Sequence, residues 1–306
     1  MNERFAKGKR VREGDGNSDL ILDILEPTTQ TCPFIFASPH SGRRYPGSFL
    51  AMSRLDRHAL RQSEDGYVDL LYEAAPRFGA PLIRALFPRA YVDVNRARDE
   101  IDPAMFVDIH PSSVDANSNR VRAGLGVIPR LVADGHEIYG GKLRQREAKK
   151  RLAACYDPYH AALQRLISQT RDKFGCAVII DCHSMPSLGG APFRHGDRPI
   201  DFVLGDRYGA SCTGSLTALV EQVLAKAGYV VSRNSPYAGG FVAATYGRPQ
   251  SGVHVLQIEI NRALYLDEKR LTRTKGFGPL RDMITALVEE MTGVSPLSLR
   301  PAQAAE

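Results

Sequence analysis

Ala177-Val178-Ile179-Ile180 runs directly into Asp181-Cys182-His183-Ser184, and this junction of an apolar run with an ionisable end decides the fold class. Four consecutive apolar residues, three of them β-branched, leave no polar face for solvent. They describe a central strand covered on both sides. Such a strand belongs to a sheet sandwiched between helical layers. The polar residues at its carboxyl end then lie where sheets of this kind bind ligands.

The same grammar recurs on either side. Phe34-Ile35-Phe36-Ala37 leads into Ser38-Pro39-His40-Ser41-Gly42. Leu82 to Leu86, Ala90 to Val94, Phe202 to Leu204, residues 229–232 and His254 to Ile260 also read as strands. Helical spacing covers residues 53–77, 138–172 (with Pro158 near a break or a helix start), 213–227 and 277–292. The alternation predicts one α/β hydrolase domain over residues 20–294. It would be a three-layer α/β/α sandwich with a mixed, largely parallel central sheet. Residues 1–19 are polar and lack an apolar segment, so they are expected to be a flexible arm, not a signal peptide. Residues 295–306 are expected to be a tail.

Composition narrows the function. A net charge of +6 is modest, and no aromatic residues interleave with the basic ones, which argues against a nucleic-acid groove. It suits a small acidic ligand. The five cysteines (Cys32, Cys155, Cys176, Cys182, Cys212) show no C-x-x-C spacing, so neither a disulfide framework nor a cysteine-rich zinc site is expected. No apolar run is long enough to span a bilayer, and the cytoplasm is the expected location. The oligomeric state is left open.

Chemistry gathers at the strand ends. His40 and His183 supply two imidazoles, and a catalytic zinc takes three nitrogen or oxygen ligands with a fourth position open to water. H-E-x-x-H is absent, and the H-x-x-E spacing fails because position 43 is Arg. The third ligand is therefore sought after the His40 loop, where Asp65 is preferred and Glu64 is the alternative. Glu259 interrupts the apolar alternation of its strand. A carboxylate with apolar neighbours has a raised pKa, which suits a general base; a salt bridge to Arg262 or Arg96 is its structural alternative. Asn95 and Arg96 form a candidate carboxylate clamp, with Arg98 or Arg262 for a second carboxylate. Gly239 and Gly240 would let backbone approach a ligand closely. His160 reads as structural, and His254 could support the site from behind.

These residues lie in stretches that resemble the N-formylglutamate amidohydrolases: SPHSGRRYP (38–46), SEDGYVDLLY (63–72), FPRAYVDVNRARDEIDPAMF (87–106), IIDCHSMPS (179–187), NSPYAGGF (234–241) and QIEINRALYLDE (257–268). The resemblance spans roughly 34–270. It implies a carboxypeptidase-like fold, a zinc ion, and cleavage of N-formyl-L-glutamate to formate and L-glutamate, a step of histidine breakdown. It also implies that Asp93-Val94-Asn95-Arg96 holds a substrate carboxylate, as a similar segment does in related aspartoacylases, and that Glu259 is the base. Arg43 stands where the wider superfamily carries a glutamate ligand. A broader N-acyl amino acid deacylase or a carboxypeptidase-like peptidase would use the same pieces. An acidic-metabolite binding protein without catalysis is the non-enzymatic reading.

Overall fold

The computed structural model describes residues 10–13, 21–132, 135–187, 194–195 and 197–301. Its frame is an eight-stranded mixed sheet. In spatial order the strands are Arg10–Glu13, Leu22–Leu25, Leu82–Ala85, Phe34–Ser38, Ala177–Met185, Val253–Asn261, Phe202–Gly205 and Val231–Arg233. The four from Leu82–Ala85 to Val253–Asn261 are mutually parallel, so their carboxyl ends open on one side. Antiparallel neighbours flank them.

Alternation along each strand feeds two cores. Ile35, Ala37, Ala177, Ile179, Val253 and Val255 face one side, where Tyr159, Leu163 and Leu166 of helix Asp157–Phe174 pack against them. Phe34, Phe36, Val178, Ile180, Leu256 and Ile258 face the other, against helices Gly214–Lys226 and Phe277–Thr292. In the last helix Phe277, Leu280, Ile284, Leu287, Val288 and Met291 recur every three or four residues on one buried stripe. Burying side chains of this size contributes roughly 1.5–3 kcal/mol each. Three layers result, as the apolar runs imply. No helix among the described residues is long and apolar enough to cross a membrane, and all five cysteines are buried and unpaired.

Several local expectations differ. Residues 53–77 do not form one helix but break into Arg57–Arg61, Val68–Leu71 and a 3-10 turn at Ala75–Phe78. Gly66 and a left-handed Tyr67 (φ 64°) interrupt the run. Ala90 to Val94 is not a strand, because the amides of Tyr91 and Val92 turn back to the Pro88 carbonyl. Helix 145–174 is continuous but contains a π turn at Leu152–Tyr156, just before Pro158. Of the expected arm, Arg10–Glu13 pairs with Leu22–Leu25; the rest lies outside the described residues. In the expected tail, Pro296–Leu299 forms a turn with Leu299 buried, and residues 302–306 lie outside the description.

Candidate active site

Four strand ends build the site. Phe34–Ser38 stops two residues before His40, and Leu82–Ala85 leads into the turn carrying Arg89, Asp93 and Asn95. Asp181 and His183 lie two apart on one central strand and therefore share a face. Gln257 and Glu259 do the same on the next. The parallel register sets Gln257 beside Asp181 and Glu259 beside His183. The helix break in residues 62–67 delivers Asp65, whose amide donates to the His40 carbonyl at 3.1 Å.

The two imidazole rings lie 4.8 Å apart, centroid to centroid. Each turns Nδ1 toward Asp65 Oδ2, at 3.4 Å for His40 and 3.0 Å for His183. Each has a buried carboxylate behind it: His40 Nε2 lies 2.7 Å from Asp93 and His183 Nε2 lies 3.0 Å from Asp181. A carboxylate behind the ring favours the proton on Nε2 and leaves the Nδ1 lone pair facing inward. His40 Nδ1 is buried and has no hydrogen-bond partner. Contact between an inward lone pair and Asp65 requires a cation between them, either a second ring proton or a metal. His40, Asp65 and His183 place ligand atoms within 4.8 Å of one another. Two nitrogens and one oxygen are the donor set of a catalytic metal site with an open position.

Electrostatics point the same way. Burial alone would raise the Asp65 pKa, yet the His183 and His40 imidazoles beside it hold it well below the carboxylate range. Burial likewise opposes ionisation of Asp93, and the charges of Arg96, His40 and Arg89 overcome it. His183 is the converse case: burial lowers its pKa, but Asp181 and Asp65 raise it far above that of a free imidazole. The site thus holds negative charge that demands a positive one. Arg262 Nη2 donates to Asp65 Oδ1 at 3.0 Å, and Arg89 Nη2 donates to Asp93 Oδ2 at 2.8 Å, fixing both carboxylates from outside.

Glu259 is buried beside this cluster and accepts from Gln257 Nε2 at 2.8 Å. Burial raises its carboxyl to about 7; His183 opposes the rise and Asp65 adds to it. It makes no ion pair within 4 Å with Arg262 or Arg96, the structural alternative considered for it. A cavity of about 500 Å³ opens over these groups, lined among others by Arg89, Arg96, Arg120, Tyr237 and Arg262.

His40, Asp65, His183, Glu259, Asn95, Arg96, Arg262, Gly239 and Gly240 all line this cavity. Glu64 does not join them: its carboxylate takes Arg61 Nε at 3.1 Å and the Tyr45 hydroxyl at 2.8 Å. Arg98, expected to reach the substrate, is not among the described residues lining the cavity; it is 55% exposed and paired with Asp157 at 2.8 Å. Arg43 points to Asp69. The Asn95 amide is committed within the protein, donating to Asp181 and accepting from the Val242 amide. Gly240 serves that packing, since a Cβ there would meet Asn95 Nδ2 at 2.7 Å. His160 is structural, bonded to the Val94 carbonyl and Tyr246. His254 sits at the far end of its strand from Glu259, on the Leu299 carbonyl. Sequence reading assigned no role to Arg89, Asp181, Gln257 and Arg120. For Asp181 and Gln257 a signal existed, because each stands two residues before a site residue on its own strand.

Comparison with known proteins gives concordant matches. The sequence model of the family described as N-formylglutamate amidohydrolase matches residues 32–266. An N-formylglutamate deformylase of Pseudomonas aeruginosa is 30% identical over 250 residues, 81% of this chain and 87% of that protein. One of Pseudomonas putida is 28% identical over 239 residues, 77% and 82% of the two chains. The crystal structure of N-formylglutamate amidohydrolase from Ralstonia eutropha superimposes with a TM-score of 0.85 at 38% identity, covering 91% of this chain and 99% of that one.

Proposed function

The chain belongs to the N-formylglutamate amidohydrolase family, and on that premise we propose that it hydrolyses N-formyl-L-glutamate to formate and L-glutamate with a zinc ion held by His40, Asp65 and His183. The reaction cleaves a linear amide C–N bond, and the cytoplasm is the compartment that fits the reading. One observation carries the assignment of the metal: two buried imidazoles, each backed by a carboxylate, turn Nδ1 onto one aspartate. When bound there, zinc supplies a Lewis acid that acidifies water and polarises the formyl oxygen.

The remaining roles fall to the chain's own groups. Glu259, with a carboxyl raised to about 7, accepts the proton of the attacking water and returns it to the departing amine. Gln257 holds one of its oxygens, so the other is presented to the cavity. Asp93 and Asp181 keep both imidazoles in the tautomer that leaves Nδ1 free. Arg89, whose Nη1 lies 4.0 Å from Asp65 Oδ1 and which lines the cavity, is placed to stabilise the anionic oxygen of the tetrahedral state. Arg96 supplies positive charge for a substrate carboxylate. Asn95 acts by holding Asp181 and the amide of Val242. Arg262 acts by orienting Asp65.

Elemental analysis paired with formate release before and after chelation tests the reading. About one zinc per chain, activity lost on chelation and restored by zinc, is the expected result. Full turnover of N-formyl-L-glutamate by metal-free protein would overturn the assignment of the metal. A metal-loaded protein releasing no formate from it would overturn the assignment of the substrate.

A further inference from the structure

Four guanidinium groups line the cavity, and three have evident work. Arg89 is bound to Asp93 and Arg262 to Asp65. Arg96 donates Nε to the Leu125 carbonyl at 2.9 Å and Nη1 to the Asn95 carbonyl at 2.8 Å, with Asp93 at 3.7 Å. Arg120 is different. Among the described residues it forms no ion pair and no side-chain hydrogen bond, yet it lines the same cavity.

Its position is built. Arg120 lies in the short helix Asn119–Arg122, whose start is capped by Ser118 Oγ accepting from the Val121 amide at 3.1 Å. The Arg120 carbonyl accepts from the Leu125 amide at 2.8 Å. Leu125 in turn gives its own carbonyl to Arg96, so one residue ties the two arginines together. Gly126 packs on the Glu100 carbonyl, where a Cβ would stand 2.4 Å away, which fixes the path of this loop. The two like charges are close enough that Arg120 disfavours ionisation of Arg96, after the larger effects of burial and of Arg89. Two neighbouring cations, the outer one without a carboxylate partner among the described residues, form an incomplete arrangement, which a bound carboxylate completes.

We propose that Arg120 is a specificity-determining residue: it receives the side-chain carboxylate of the substrate, while Arg96 receives the α-carboxylate. The proposal rests on the N-formylglutamate reading of this cavity and names the group that selects an acidic side chain. The order follows from reach. Arg96 is buried and bonded to Asn95, which touches Asp181 behind His183, whereas Arg120 is exposed on the outer wall. In the substrate the α-carboxylate carbon is two bonds from the scissile nitrogen and the side-chain carboxylate carbon is four. The inner arginine therefore meets the nearer group.

The test compares N-formyl-L-glutamate with N-formyl-L-glutamine in zinc-loaded wild type, Arg120→Gln and Arg120→Lys, and measures glutarate binding by calorimetry. Loss of one charge-assisted contact predicts that Arg120→Gln lowers the preference for the acidic substrate about 10- to 100-fold, chiefly through KM. Arg120→Lys should recover part of it, and glutarate should bind at least tenfold more weakly to Arg120→Gln. An unchanged preference, or equal losses on both substrates, overturns the proposal while leaving the reaction intact. If wild type hydrolyses neither substrate, the reading of the reaction fails instead. Calorimetry then decides Arg120 alone: weaker glutarate binding in Arg120→Gln supports it and unchanged binding overturns it.

Discussion

Asp181 offers the most discriminating perturbation of the metal site, because it meets that site from behind, through His183 and Asn95. Its Oδ2 lies 3.0 Å from His183 Nε2 and accepts from Asn95 Nδ2 at 3.2 Å, and the side chain is fully buried. A hydrogen bond to a charged group of this kind is worth about 1.5–3 kcal/mol, or roughly 10- to 150-fold in an equilibrium constant. Loss of a carboxylate behind a ligating histidine costs about 10–100-fold in metal affinity, which agrees. Asp181→Asn keeps the shape and one acceptor at the Oδ2 position, so its loss should fall at the lower end. Asp181→Ala removes the buried negative charge beside His183 and the acceptor of Asn95 and should fall at the upper end. Zinc affinity is measured by competition with a chromophoric chelator, and formate release is followed against free zinc. The variants should need more zinc, and Asp181→Asn should approach wild-type turnover once saturated. Denaturation of the metal-free proteins separates this from simple loss of stability. Folded variants that retain wild-type zinc affinity would refute the reasoning.

Glu259→Gln should bind zinc normally and lose at least about 100-fold in turnover; equal turnover would remove Glu259 as the base. A raised carboxyl is protonated below its pKa and a base only above it. With Glu259 at about 7, kcat/KM should therefore climb with pH and level off above neutrality. A bound dication draws the midpoint to about 7 or lower, and Glu259→Gln should flatten this limb; a limb unchanged in that variant would assign it to another group. Arg151 is wholly buried, paired with Glu147 at 2.8 Å and stacked over Tyr91 at 4.4 Å. Because Glu147 is partly solvated, Arg151→Met should cost about 2–3 kcal/mol in urea denaturation without altering zinc content; a change below about 0.5 kcal/mol would contradict that.

The layers of the fold were legible because burial leaves a pattern that needs no partner to read. Ala177–Ile180 is apolar at every position, and only a two-sided core accommodates that. The stripe in Phe277–Thr292 is equally self-evident. Errors arose where one left-handed residue or one turn outweighs periodicity. Leu55, Leu60, Val68 and Leu71 keep helical spacing across a break at Gly66 and Tyr67, since each short helix still faces the core. Tyr91, Val92 and Val94 are apolar like a strand but are buried from a turn held by Pro88.

The site was legible to the extent that its members end strands, and illegible where function depends on what a side chain is already bonded to. Glu64 and Asp65 are adjacent acids in the same stretch; only the helix break decides that one meets Arg61 and the other meets two imidazoles. Arg96, Arg98, Arg120 and Arg262 are alike in sequence. In space Arg98 is neutralised by Asp157 outside the cavity and Arg262 is committed to Asp65, while Arg120 keeps its charge unpaired among the described residues. Motif spacing directs attention to the arginines beside Asp93, because they lie in the most recognisable stretch. Charge pairing redirects it to a residue 24 positions past Arg96, in the short helix Asn119–Arg122. An anion seeks the cation whose field is least cancelled, so the arginine with no partner among the described residues, not the one in the motif, is where selection of an acidic side chain should reside.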